Sequence, residues 1–175
     1  GAFAARLPDE LDALAAFGCA SLKIFTTYSR RGMMIPKEQV SVVLREASAR
    51  GFLVLVHAED DALVNAAADR LRAEGRNAAS DFPRSRPSEA EVAAVAEMAE
   101  AATRTGARVY FVHLSTAGAL AAVEAARRRA RAPIHAETCP HYLVLTAAEY
   151  ATEHGHSCIV TPPLRPEADR AALLR

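Results

Sequence analysis

Short apolar runs alternate with helix-patterned stretches along this chain, and three of the runs carry or end in a side chain able to bind metal or move protons. Residues 21–25 (Ser-Leu-Lys-Ile-Phe), 52–57 (Phe-Leu-Val-Leu-Val-His) and 108–113 (Arg-Val-Tyr-Phe-Val-His) read as buried strands, with a fourth at 134–137. A helical stretch between successive strands makes them parallel, so their ends fall on one side of a sheet. Lys23, His57 and His113 should therefore converge on the side where α/β proteins build their sites.

Glycines and caps set the intervening boundaries. A first helix is expected from Pro8 to Phe17, stopped by Gly18, and a second over 36–50, closed by Gly51. Leu63, Val64 and Leu71 pattern a third over 60–74, followed by a polar loop over 76–87. Ser88-Glu89-Ala90-Glu91 has the form of a capping box opening a long helix that ends at Gly106. A helix over 116–129 carries Arg127, Arg128, Arg129 and Arg131 at or beyond its C-terminus, where the helix dipole favours cations. The tail holds a short helix near Ala147, a strand at 158–160 and the start of another helix. Four β/α units suit a doubly wound sheet or part of an eight-stranded (β/α) barrel, which takes about 250 residues when complete. The expectation is thus a single segment, 1–175, with the barrel's N-terminal and C-terminal parts absent.

Twenty-one basic residues balance twenty-one acidic ones, so no overall field draws the chain to nucleic acid. No stretch resembles a secretory signal or membrane span, and a cytoplasmic location is expected. Cys19, Cys139 and Cys158 are too scattered for a Cys-x-x-Cys centre and read as reduced thiols. Neither a Gly-x-Gly-x-x-Gly turn nor a Walker loop is present, which argues against a nucleotide-binding module.

His57 precedes Glu59 and Asp60 at a strand end. It is either a metal ligand whose tautomer a carboxylate fixes or a hydrogen-bonded structural histidine, with Asp60 and Asp61 capping the next helix. His113, followed by Ser115 and Thr116, presents the same choice, and the recurrence at equivalent points of successive units favours ligands. Lys23, between Leu22 and Ile24, should face the interior, where a charge is costly. Such a lysine loses its proton and becomes nucleophilic, able to form a Schiff base or a carbamate, unless its head simply reaches solvent.

The segments Ser-Leu-Lys23-Ile-Phe-x-x-Tyr28, Val-His57-Ala-Glu59, Ser85-Arg86-Pro87 with Glu91, Val-His113-Leu-Ser115, Glu137-Thr-Cys-Pro-His-Tyr-Leu and Pro162-Pro163-Leu-Arg165 together resemble the cyclic amidohydrolases. That family includes hydantoinases, dihydropyrimidinases, allantoinases and dihydroorotases. The resemblance runs from about Leu7 to the end of the chain, in the family's order and spacing. It implies a partial (β/α)8 TIM-type barrel with a site for two divalent metal ions, usually zinc. The bridging carbamylated lysine falls on Lys23 and the two histidine ligands of one metal on His57 and His113. Tyr28 takes the position of an oxyanion-stabilising, substrate-shaping tyrosine. Thr161 takes a substrate-contacting position that is commonly Ser in hydantoinases and Asn in dihydroorotases.

The activity so implied is hydrolysis of a small cyclic amide or ureide by an activated hydroxide, giving an N-carbamoyl amino acid from a hydantoin or dihydropyrimidine. A homo-oligomeric parent, dimer or tetramer, goes with it. The family's His-x-His pair and its late aspartate have no counterpart here, and Asp169, in a helical tail, is a poor substitute, so the segment alone is expected to be inactive. Lys-Ile-Phe with Tyr28 favours the hydantoinase branch. His141, where many hydantoinases have Gln, leans toward allantoinase, with a hydrogen bond inside its own loop as the plainer role. A non-catalytic scaffold relative is the alternative of another class.

Overall fold

The computed structural model describes residues 2–175. Four parallel strands, β1 (Ser21–Phe25), β2 (Leu53–His57), β3 (Val109–Phe111) and β4 (Ile134–Ala136), lie in the order β1-β2-β3-β4. Each strand pairs with the next in sequence, a singly wound order that never reverses. A doubly wound sheet reverses direction at a switch point, so the barrel alternative is the one realised.

Side chains alternate across the sheet. Ile24, Val54, Val56, Val109, Phe111 and Ile134 are buried against α2 (Lys37–Ala49), α5 (Ser88–Thr105) and α6 (Ala117–Arg127), where Leu44, Val95, Met98 and Val123 complete one core. The intervening positions form the opposite, open face. Register places Lys23 beside Leu55, Leu55 beside Tyr110 and Tyr110 beside His135 in one row across it, with Phe25 beside His57 one step nearer the strands' C-terminal ends.

Several elements differ from the sequence reading. The first helix, α1 (Ala2–Ala16), starts well before Pro8, which lies within it. The stretch 76–87 is not all loop, since it contains a 3₁₀ turn at Ala79–Asp81 and the short α4 (Phe82–Ser85). No capping box forms at Ser88, because Pro87 occupies the N-cap and moves Ser88 into the first turn; Glu91 turns away toward Ser115. Gly106 does stop α5, with a left-handed φ of 70° and its N–H donated to the Ala102 carbonyl. Arg127 and Arg129 are spent locally, on the Ile134 carbonyl and on Glu100.

The expected strand at 158–160 is absent, as Gly155–Cys158 is a 3₁₀ turn. Pro162 and Pro163 follow it, and prolines lack the N–H that a ladder needs. Tyrosine hydroxyls hold this part of the tail instead: Tyr142 donates to the Pro162 carbonyl at 2.5 Å, and the Leu164 N–H donates to Tyr150 at 2.9 Å. Beyond β4 come α7 (Pro140–Val144), a 3₁₀ segment at Ala147–Ala151 and α8 (Glu167–Leu173). Asp169 accepts from the Ala117 N–H at 2.8 Å and so stabilises the start of α6, a structural task far from catalysis.

Candidate metal centre

His57 is the last residue of β2, and His113 lies two residues beyond β3. Among the described residues, Tyr28 (φ 70°) and His113 (φ 48°) are the non-glycine residues with left-handed backbones. Such a backbone costs about 1–2 kcal/mol and persists where the surroundings over-determine it, as functional sites do. Here the two strained residues lie beyond the ends of β1 and β3, the strands that flank β2, and each has its aromatic ring against His57, with centroids 5.2 Å away for Tyr28 and 4.6 Å for His113.

The chain of contacts through His57 determines its protonation. Its Nε2 lies 2.6 Å from Oε2 of Glu59, a carboxylate with no solvent exposure. Arg86 donates to the same carboxylate, through Nε to Oε1 at 3.0 Å and through Nη2 to Oε2. Burial pushes the Glu59 carboxyl up, but hydrogen bonds from His57 and Arg86 and the Arg86 charge prevail and hold it at about 2. An ionised carboxylate only accepts, so His57 carries a proton on Nε2 and turns its Nδ1 outward. That Nδ1 faces Nε2 of His113 at 3.0 Å. Burial, then the charges of His57 and Lys23, lower His113 to about 4, so its ring is neutral at physiological pH.

Two imidazoles so placed, with ring nitrogens facing each other, fit a metal ion. Two nitrogens binding one zinc tetrahedrally at 2.0–2.1 Å stand about 3.3 Å apart, a few tenths of an ångström beyond the separation found here. The Nδ1 of His113 is buried and has no partner, so the opposite edge of the ring is not tied to the protein. Among the described residues no three His, Cys, Asp or Glu side chains are placed to hold a metal together. The two imidazoles are one part of a ligand set, and a lysine joins such a set only after conversion to an anion.

Lys23 is exposed in this chain, because Leu22 and Ile24 turn toward the helices and the lysine between them points from the open face, the one that a barrel encloses. Its Nζ stands 5.4 Å from the Phe25 ring centroid, and that ring lies 5.6 Å from His57. Partial desolvation lowers its pKa, opposed by the charge of Glu137.

Tyr28 donates its hydroxyl hydrogen to Oγ1 of Thr161 at 3.2 Å, so the two expected substrate residues, 133 positions apart, meet. The Arg86 guanidinium carbon lies 5.1 Å from the Tyr28 ring centroid. Asp60 caps α3 (Asp61–Ala73) by accepting from the Leu63 N–H at 3.0 Å. Asp61 does not cap. It brackets Tyr28 instead, accepting at Oδ1 from the Thr27 hydroxyl at 3.2 Å and the Ser29 N–H at 3.0 Å. His141 finds no bond within its loop: its Nε2 is buried without a partner, and its ring packs on Tyr142 at 4.2 Å. The supporting groups that sequence reasoning passed over are Arg86, Asp61, Glu91 and Arg165. Three of them sat in the quoted motifs, where charged side chains beside apolar runs were the available signal.

No family model matches the chain. A D-phenylhydantoinase of Escherichia coli O9:H4 (strain HS) is 36% identical over 158 residues, covering 90% of this chain and 33% of that protein. A D-hydantoinase structure superimposes with a TM-score of 0.88 at 34% identity, over 95% of this chain and 36% of the other. A dihydropyrimidinase from Brevibacillus agri NCHU1002 gives 0.89 at 30% identity, over 95% and 36%. The chain thus spans about a third of the length of the relatives it matches. Agreement in both sequence and backbone over nearly all of its residues places the chain in the cyclic amidohydrolase family.

Proposed function

We propose that the protein carrying this sequence opens cyclic amides of the hydantoin or dihydropyrimidine type, releasing an N-carbamoyl amino acid. The observation that carries the reading is the pair of imidazole nitrogens facing each other at 3.0 Å, one ring oriented by the buried Glu59–Arg86 pair. His57 Nδ1 and His113 Nε2 would hold one divalent cation, zinc by family resemblance, and a carbamylated Lys23 would bridge to a second. Such ions supply an activated water and polarise the scissile carbonyl.

The chain's own groups have distinct tasks. Glu59 keeps the His57 proton on Nε2 and the ligand lone pair free. Tyr28, held on a strained turn, redirects its hydroxyl hydrogen from Thr161 to the oxygen on which charge develops, a donor aimed at the transition state. Thr161 holds that donor in place before substrate arrives. A cytoplasmic, homo-oligomeric protein fits this reading, and no helix among the described residues is long and apolar enough to cross a membrane.

The test is expression with zinc or manganese and side-by-side assay of hydantoin, dihydrouracil, allantoin and dihydroorotate. Ring opening of hydantoin or dihydrouracil is expected, lost in His57→Ala and His113→Ala and reduced in Tyr28→Phe. Preferential turnover of allantoin or dihydroorotate refutes the substrate assignment, and turnover of none of the four refutes the reading. Intact mass should show one carbon dioxide added at Lys23.

A further inference from the structure

Two buried ionisable side chains play no part in the reaction just described, yet both converge on the turn that presents His113. Glu91, 1% exposed, accepts at Oε1 from the Ser115 N–H at 2.9 Å and receives the Ser115 hydroxyl at 3.1 Å from either carboxylate oxygen. Arg165, 4% exposed, donates Nε to the Ser115 hydroxyl oxygen at 3.0 Å and Nη1 to the Arg86 carbonyl at 2.7 Å. Between His113 and Ser115, the Leu114 N–H is bound to the Glu137 carbonyl at 2.8 Å, and the Leu114 carbonyl accepts from Thr138 at 2.8 Å.

His113 has a left-handed backbone that an ordinary residue avoids. Every hydrogen-bonding group of the two residues after it that these contacts use is fixed from a different element: α5, the end of β4 and the tail. Arg165 also spans two supports. One of its nitrogens reaches the hydroxyl that stabilises the His113 turn. The other reaches the carbonyl of Arg86, whose guanidinium orients His57 through Glu59. Burying two such polar groups for packing alone is costly, and apolar residues of similar volume would pack at least as well.

We propose that Glu91 and Arg165 are positioning residues that set the separation of His57 and His113 for metal, with the Ser115 hydroxyl as the joint between them. This inference rests on the metal reading of the two histidines and adds groups that touch neither metal nor substrate. Removing outer partners of metal ligands typically weakens metal binding 10–100-fold.

The test uses the metal-free protein carrying this sequence, titrated with Co2+ alone, whose visible absorption reports ligand number and geometry. His57→Ala and His113→Ala should abolish or reshape the signal. Arg165→Met should weaken Co2+ binding about tenfold or more and alter the band, and Arg165→Lys, able to restore one of the two bonds, should recover part of the loss. Ser115→Ala removes the joint without changing charge; it should weaken binding in the same direction, and it decides the matter if Arg165→Met fails to fold. Wild-type affinity and spectrum in Ser115→Ala, or in a folded Arg165→Met, overturn the positioning role and leave the metal reading standing. Co2+ binding indifferent to both histidine substitutions overturns the metal reading itself.

Discussion

Replacing Asp61 by Ala should disable Tyr28 without touching it. Asp61 bonds the residues on both sides of Tyr28 and also accepts from Asn65 Nδ2 at 2.7 Å and from the Ser29 hydroxyl. Hydrogen bonds to a charged acceptor contribute about 1.5–3 kcal/mol each when buried. These are part-buried or exposed, so about 1 kcal/mol for each of the two flanking bonds to Thr27 and Ser29 is the more realistic figure. The left-handed turn at Tyr28 costs about 1–2 kcal/mol, which those bonds roughly offset. Without them the turn opens unless ring packing on Phe25 and His57 holds it, and its population should fall to about a tenth, since 1.4 kcal/mol is a factor of ten. The assay is kcat/KM on hydantoin, expected to drop about tenfold in Asp61→Ala while Asp61→Asn, which keeps the acceptor at Oδ1, stays near wild type. Hydrogen exchange at the Ser29 amide should accelerate in the same variant. An Asp61→Ala protein within twofold of wild type on kcat/KM, with Ser29 protection unchanged, refutes the reasoning.

Three further outcomes follow from packing and charge. Glu59 is held at about 2 against an ordinary 4.5, so its contribution to stability is complete above 4.5 and disappears as pH falls toward 2. At 1.36 kcal/mol per pH unit the whole contribution is at most about 3 kcal/mol, with about 2 kcal/mol gone by about pH 3; urea unfolding across this range should show the slope in wild type and lose it in Glu59→Gln. Phe111, with no exposed surface at the centre of the sheet, should cost about 3–5 kcal/mol when cut to Ala, read as a lower urea midpoint at unchanged slope. Gly106→Ala forces a side chain into the left-handed end of α5 and should cost about 1 kcal/mol, visible as a lower Tm.

The fold was legible because periodicity reports which face of an element is buried. The four strands and the helices between them follow from apolar runs, helical spacing and terminal glycines. The sheet order was legible from the family resemblance and not from the alternation of elements, which singly and doubly wound sheets share. Ser88 and residues 158–160 failed for a common reason. Each lies next to proline, and the missing N–H or fixed φ of a neighbour overrides a local pattern that is otherwise sound.

The site was legible at its ends and hidden in its supports. The candidate positions His57, His113, Tyr28 and Thr161 are recognisable by type and place, and Glu59 sits two residues from the histidine it orients, whereas the bonds of Arg86, Glu91 and Arg165 join segments 24 to 79 residues apart, beyond any local window. Lys23 shows how the two levels interact. Flanking apolar residues implied burial, but alternation in a strand assigns neighbours to opposite faces, so the same flanks turn the lysine away from the helices, onto the face that a barrel encloses. There its charge matters more than its burial. As an ammonium, Lys23 with Arg86 offsets Glu59 and Glu137, leaving the surroundings of the two imidazoles near neutral. A carbamate would reverse the lysine's sign and leave a net charge of about two negative units, a field that attracts divalent cations and offsets about half the charge of a pair of them.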